Sequence, residues 1–168
     1  KVLNALKKDF ITIGRGHVKA EQFFEKTGNK VIEGGLDKYI DICPRVPEYA
    51  IVAVNVQYLA STTISLMKYG VKNIFCEKPG FNNPSELDEV IGVAKKTEAN
   101  VYYAYNRRFF TSVFEAEKII KEDGGMTSIN FEFTEWSHVI ESISQPAEVK
   151  KNWLTANSSH VIDLAFFL

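Results

Sequence analysis

The sequence predicts an α/β protein: a parallel sheet covered by helices, followed by the start of an α+β domain with an open, mainly antiparallel sheet. Three observations predict it. Short apolar, β-branched runs alternate with segments of helical period, the pattern of parallel strands joined by crossover helices. Glycines stand where two of those helical segments should stop, at Gly28 and Gly70. Near residue 107 the pattern changes, and Ile129, Phe131 and Phe133 alternate with Asn130, Glu132 and Thr134, as in a strand with one buried face. The expected division is therefore 1–106 and 107–168.

The elements follow in order. "KVLNALKKD" (1–9) has the profile of the last turns of a helix, with no cap or start signal before it. "FITIG" (10–14) reads as a short buried strand, "HVKAEQFFEKTG" (17–28) as a helix, "KVIEG" (30–34) as a strand and "LDKYIDIC" (36–43) as a short helix. "YAIVAVN" (49–55), apolar almost throughout, is the clearest buried strand. A helix over 59–70 and a strand in "VKNIFCEKP" (71–79) come next. Asn83 then caps a helix with Pro84 at its first position and Glu86 completing a capping box. "ANVYYAYN" (99–106) is a further strand, and 107–125 a helix ended by Gly124 and Gly125. "NSSHVIDLAFFL" (157–168) opens a last helix and stops in its apolar run. The natural chain is expected to extend at both ends.

Composition excludes several classes. The chain has 168 residues, is 45% hydrophobic and carries a net charge of −1. That balance offers no electrostatic reason to bind nucleic acid or an anionic membrane. No apolar run approaches the ~20 residues that span a bilayer. Cys43 and Cys76 lack CxxC spacing and histidine neighbours, so they read as buried free thiols of a reducing, cytoplasmic compartment, and no metal site is expected. The expected missing N-terminus leaves an export signal open.

The strand at 71–79 ends in Glu77-Lys78-Pro79, a poor finish for a core but a suitable way to bring polar groups to the ligand-binding rim of a parallel sheet. "YAIVAVN…LMKYGVKNIFCEKPG", "YNRRF" (105–109) and "SSHVIDL" (158–164), in this order and at this spacing, resemble the glucose-fructose oxidoreductase and inositol dehydrogenase (Gfo/Idh/MocA) family over most of the chain. The resemblance implies a Rossmann dinucleotide-binding domain over 1–106 and the N-terminal part of a substrate and oligomerisation domain over 107–168. It implies an oxidoreductase that moves hydride between a nicotinamide and a secondary hydroxyl or carbonyl of a sugar, sugar derivative or nucleotide sugar. A dinucleotide-binding sensor without turnover is the rival reading. The partners so implied are a small sugar-like substrate and further copies of the chain, meeting through the second-domain sheet.

Two strand assignments compete at the N-terminus. Gly14 and Gly16 could open a GxGxxG phosphate loop, but Lys19 holds the third glycine position. The interval to "IVAVN" is also too short for the rest of a Rossmann half. Reading "FITIG" as the second strand fits the spacing and puts the first strand and the glycine loop upstream of Lys1. Arg15 then stands where a carboxylate would bind the ribose of NAD, or an arginine the 2′-phosphate of NADP. The expected cofactor is NADP, with NAD the alternative.

By the same resemblance Lys78 stands beside the nicotinamide and the reacting carbon, Glu77 faces cofactor ribose or steadies the lysine, and Pro79 fixes a turn that is often cis in the family. An ammonium at a partly desolvated strand end has its pKa lowered, which suits proton transfer. His160 is the implied acid/base or substrate ligand, with Asp163 on the same helix face and Asn157 nearby. Family members often carry an aspartate one turn before the histidine; here that residue is Ala156. Asn55 and Gln57 can hydrogen-bond a cofactor edge, and Asn106 and Arg108 line the domain junction. His17 and His138 read as structural or exposed. Phe131, Phe133 and Trp136 read as sheet packing or a subunit interface.

Overall fold

A computed structural model describes residues 2–43 and 45–168, which form two compact units, 1–47 and 48–168. Residue 106, where the sequence pattern changes, lies inside the second. Both units contain parallel strands.

The first unit begins with helix α1 (Val2–Ala5) and strand β1 (Thr12–Gly14), followed by α2 (His17–Thr27), β2 (Val31–Glu33) and α3 (Gly35–Ile42). β1 and β2 pair in parallel, Gly14 opposite Glu33, so both strand ends emerge on the same edge. α2 stops because Gly28 takes the left-handed conformation at φ 72°, its N–H returning to the Phe24 carbonyl. Among the helix residues Ala20 and Tyr39 are buried.

The second unit carries a three-stranded parallel sheet, β3 (Tyr49–Val52), β4 (Asn73–Cys76) and β5 (Asn100–Tyr103), in the order β3-β4-β5. The crossovers are α4 (Leu59–Tyr69) and α5 (Pro84–Thr97). α4 ends at left-handed Gly70, whose N–H bonds the Leu66 and Met67 carbonyls. Its buried face, Leu59, Thr63, Ile64, Leu66 and Met67, meets Val52, Ile74 and Cys76 to form the core. Asn83 caps α5 by accepting from the Glu86 N–H at 3.1 Å. The reciprocal bond is shifted by one residue from the capping box read in the sequence: Glu86 Oε2 accepts from the Asn82 N–H at 2.6 Å, not from the cap itself.

The remainder comprises a 3-10 turn (Asn106–Phe109), α6 (Thr111–Glu122), α7 (Ser137–Ser142), α8 (Ala147–Lys151), a π-helical turn (Leu154–Ser158) and α9 (Ser159–Phe167). The short helices α7 and α8 were not legible in the sequence, being too brief for a periodic pattern.

Three expectations are corrected. Residues 129–134 form no strand, and both sheets among the described residues are parallel, so the open antiparallel sheet is not seen. An alternating strand needs neighbours to satisfy its backbone, and no strand pairs with 129–134 among the described residues. The expected buried strand 49–55 is covered on one face only: Val52 is 2% exposed but Ile51 is 62%. Side chains alternate across a strand, and Ile51 shares its outward direction with the stacked pair Phe75 and Tyr102, 5.2 Å apart. Cys43 is half-buried rather than buried, its thiol donating to the Tyr39 hydroxyl; Cys76 is buried as expected, and neither is in a disulfide.

Candidate active site

In the second unit β4 runs out of the core directly into Glu77-Lys78-Pro79. The Glu77 N–H still bonds the Val52 carbonyl at 2.9 Å, so the strand's last tie lies one residue before the lysine. The Lys78–Pro79 peptide is cis. Beyond it Gly80, at φ 86°, is buried against the Tyr103 ring of β5. Phe81 meets that ring edge-on, with centroids 6.1 Å apart.

The half-buried Lys78 Nζ donates to the Ala156 carbonyl at 2.9 Å and the Asn157 carbonyl at 3.5 Å. Both carbonyls belong to the π-helical turn, the kind of irregularity that frees backbone acceptors at functional sites. The Ala156 methyl is buried and brings no carboxylate, but its backbone oxygen occupies the ammonium. Burial lowers the Lys78 pKa below its ordinary value; Arg107 pushes the same way and Glu77 opposes.

His160, in the first turn of α9, meets Tyr105 edge-to-face with centroids 5.9 Å apart. Its Nδ1 is buried and has no hydrogen-bond partner among the described residues. Burial is the main reason its pKa falls, and the charges of Lys78 and Arg107 add to it. The imidazole is therefore neutral at pH 7, with a nitrogen available to accept a proton. Burial likewise raises the Tyr105 phenol.

Asp163 and Arg108, read from the sequence as substrate and cofactor contacts, hold each other. Arg108 Nε donates to Asp163 Oδ2 at 2.8 Å and its terminal nitrogen to Oδ1, a bidentate pair. The guanidinium also lies 4.8 Å from the Phe167 ring centroid and 5.8 Å from that of Tyr105. This pins α9 to the 3-10 turn after β5 and so places His160. Asn106 and Glu77 are exposed, as are Asn55 and Asn157, while Gln57 is half-buried. Asn157 donates its amide to Glu135 Oε1 at 3.1 Å, and the buried Ser158 hydroxyl donates to the same oxygen at 2.7 Å. Glu135 was missed in the sequence because it lies outside every motif and 22 residues from its partner Asn157.

In the first unit Arg15 is exposed just past the end of β1. Gly34 and Gly35 open α3 at φ 107° and 82°, and a Cβ on Gly35 would come within 3.1 Å of Arg15 Cγ. Gly35 thus leaves room for the arginine stem, while a Cβ on Gly34 would meet the Lys38 side chain instead. The one carboxylate at the end of β2, Glu33, accepts from His17 Nδ1 at 2.9 Å, while His17 Nε2 pairs with Glu21 at 3.1 Å. The guanidinium and the histidine-engaged carboxylate thus stand at the same sheet edge, where the ribose of a dinucleotide is held in folds of this kind.

The histidines supply a test. His17 is exposed and ion-paired, and the hydrogen bond to Glu33, then the charge of Glu21, raise its pKa. Ring-proton NMR should place His17 above 6.5 and His160 below it. A raised pKa means that the His17 contribution to stability is complete below about pH 6.5 and disappears as pH rises through the folded value. The lowered pKa of His160 works oppositely, withdrawing stability as pH falls below about 6.5. His138 is exposed and stacks on Trp136 with centroids 6.0 Å apart. Trp136 is itself 69% exposed and packs in no sheet. No group of metal-ligating side chains occurs among the described residues, and no described helix is long and apolar enough to cross a membrane.

The described residues thus join a parallel α/β sheet to a half-buried lysine at a strand end, whose charge bears on His160. The model of the oxidoreductase family with an NAD-binding Rossmann fold matches residues 10–105, more than half of the chain, and the chain belongs to this Gfo/Idh/MocA family. No curated protein sequence matches the chain. Among solved structures, it is similar to a protein from Desulfitobacterium hafniense described as an NADPH-dependent oxidoreductase (TM-score 0.73, 20% identity, 96% of this chain and 48% of that one). It is also similar to myo-inositol 2-dehydrogenase from Lactobacillus plantarum (TM-score 0.60, 20% identity, 70% and 34%). A third is a mutant of the 3-ketoreductase KijD10 from Actinomadura kijaniata, in complex with TDP-benzene and NADP (TM-score 0.56, 14% identity, 68% and 34%). The chain thus spans between a third and a half of the length of these structures.

Proposed function

We propose that this chain belongs to a cytoplasmic, NADP-dependent dehydrogenase or reductase acting on a secondary hydroxyl or carbonyl of a sugar, sugar derivative or nucleotide sugar. The observation that carries the reading is the Lys78 ammonium, half-buried at the end of β4 with its pKa lowered and its position held by two carbonyls. The sugar-like substrate class is supported by the neighbours, a myo-inositol dehydrogenase and a ketoreductase crystallised with a TDP compound. The nicotinamide, when bound, supplies or accepts the hydride. Lys78 donates a proton to the substrate oxygen during reduction, or hydrogen-bonds the hydroxyl during oxidation. The neutral His160 exchanges a proton with the same substrate or orients it. Asn157, Asp163 and Glu77 are assigned to the surroundings of that substrate and of the cofactor ribose. Asn55, Gln57, Asn106 and Arg108 are assigned to the cofactor edge. Further copies of the chain are assigned as its partners.

Arg15 is assigned to the 2′-phosphate. A charge-assisted contact of this kind contributes roughly 1.5–3 kcal/mol, about tenfold to a hundredfold in affinity. Titration should show NADP bound more tightly than NAD by that factor, and Arg15→Ala should remove the difference. Equal affinities in both proteins would refute the assignment.

The buried Ala156, which brings no carboxylate to the lysine, favours a second reading as a dinucleotide-binding sensor without turnover. Single-turnover oxidation of bound NADPH across a panel of keto-sugars and nucleotide sugars separates the two: a sensor leaves the nicotinamide reduced with every compound.

A further inference from the structure

The carbonyls that grip Lys78 come from a π-helical turn, a conformation that rarely persists without outside support. That support is visible. A single oxygen of Glu135, Oε1, accepts from Asn157 Nδ2 at 3.1 Å and from Ser158 Oγ at 2.7 Å. Asn157 itself carries one of the two carbonyls, and Ser158, 1% exposed, ends the turn. These two hydrogen bonds hold the Glu135 carboxyl below its usual range, so it is charged at neutral pH. The charges that bear on Lys78 directly are Glu77 and Arg107, with His160 sensing the lysine from α9; Glu135 is not among them.

We propose that Glu135 is a positioning residue for Lys78: by tying Asn157 and Ser158 to one oxygen it keeps the Ala156 and Asn157 carbonyls on the ammonium. The effect passes through the backbone of the turn, not through the carboxylate's charge. It rests on the reading of Lys78 as the proton-handling group. Carbonyl acceptors favour the charged ammonium, so loosening them lowers the pKa of Lys78 further. Any displacement of the lysine also costs rate, since a shift of about 1 Å at a reacting group is worth up to ~10².

The experiment compares Glu135→Ala, Glu135→Gln, Ser158→Ala and Lys78→Met in the protein, measuring kcat, cofactor KM and the pH dependence of kcat/KM for carbonyl reduction. Glu135→Ala should lose about tenfold to a hundredfold in kcat, keep its cofactor KM, and move the limb that titrates Lys78 to lower pH. Glu135→Gln retains a carbonyl oxygen in the same place and should restore both rate and limb. Ser158→Ala should move both in the same direction by less, and it decides the matter if Glu135→Ala does not fold. A Glu135→Gln variant as impaired as Glu135→Ala would overturn transmission through the turn, and so would a rate loss with an unmoved limb. If Lys78→Met turns over like wild type, the reading of Lys78 fails and this role with it. If Lys78→Met is inactive while Glu135→Ala and Ser158→Ala match wild type, only the positioning role fails.

Discussion

Replacing Lys78 with Met should reduce turnover by about 10²–10⁴ while leaving cofactor affinity nearly unchanged. Methionine keeps much of the apolar stem, so the half-buried site stays filled, but it removes the donor that reaches the Ala156 and Asn157 carbonyls. The Asn157 carbonyl belongs to an exposed residue and can turn to water, whereas buried Ala156 loses a partner at a cost of about 1–3 kcal/mol, which the fold should survive. In wild type, the activity for carbonyl reduction should fall as pH rises through the Lys78 pKa, at a pH below the ordinary 10.5 because burial disfavours the charged form. His160→Ala should cost less than Lys78→Met, since no carboxylate stands one turn earlier to complete a relay. A substrate screen over sugars and nucleotide sugars precedes the mutants. Wild-type turnover by Lys78→Met would reduce the Glu-Lys-Pro segment to a structural corner.

The second large effect is on stability. Gly80 sits at φ 86°, and a Cβ there would lie 1.8 Å from Tyr103 Cε1 and 2.7 Å from Cζ. The Tyr103 ring cannot swing away freely, because Phe81 abuts it edge-on. Gly80→Ala should therefore combine a left-handed backbone cost of about 1–2 kcal/mol with an overpacking cost of about 1–3 kcal/mol. The sum, about 2–5 kcal/mol, should lower the urea midpoint with little change in slope. Adding Tyr103→Ala should recover none of the backbone part, although it brings a cavity cost of its own. A midpoint within error of wild type would mean that the loop after Pro79 shifts at no cost. The same substitution should also depress turnover, because Gly80 lies two residues from Lys78.

Much of the candidate site was legible because its residues come in short motifs. Lys78 follows an apolar strand, and β4 does end one tie before it, so the expectation of a polar group at the sheet rim held locally. His160 and Asp163 share a helix face at a spacing of three, and α9 bears both. The destination of the two side chains was not legible. Asp163 turns to Arg108, 55 residues away, and a bidentate ion pair leaves no trace in periodicity. The lysine's acceptors are backbone atoms, and a backbone carbonyl has no residue type by which a sequence could announce it. Ala156 therefore read as a gap in a proton relay, while its main chain serves as a ligand for the ammonium.

The sequence by itself determined the features that depend on a few neighbouring residues. Gly28 and Gly70 end α2 and α4 because glycine enters the left-handed region without a Cβ penalty, and Asn83 with Pro84 starts α5 because one side-chain oxygen satisfies an early N–H. The parallel pairing of β3, β4 and β5 follows equally from short strands separated by helices of crossover length. Tertiary structure decided what those elements face. Ile51 and Phe75 look as apolar as Val52 and Ile74 in the sequence, yet only the latter pair lies under α4. The alternation of 129–134 expresses a capacity to bury one face, which becomes a strand only when neighbours supply hydrogen bonds. The hold on Lys78 depends on a π-helical turn 78 residues downstream and on a glutamate that steadies it. Local conformation is encoded by local sterics and hydrogen bonds; contacts between distant segments depend on how the chain closes on itself.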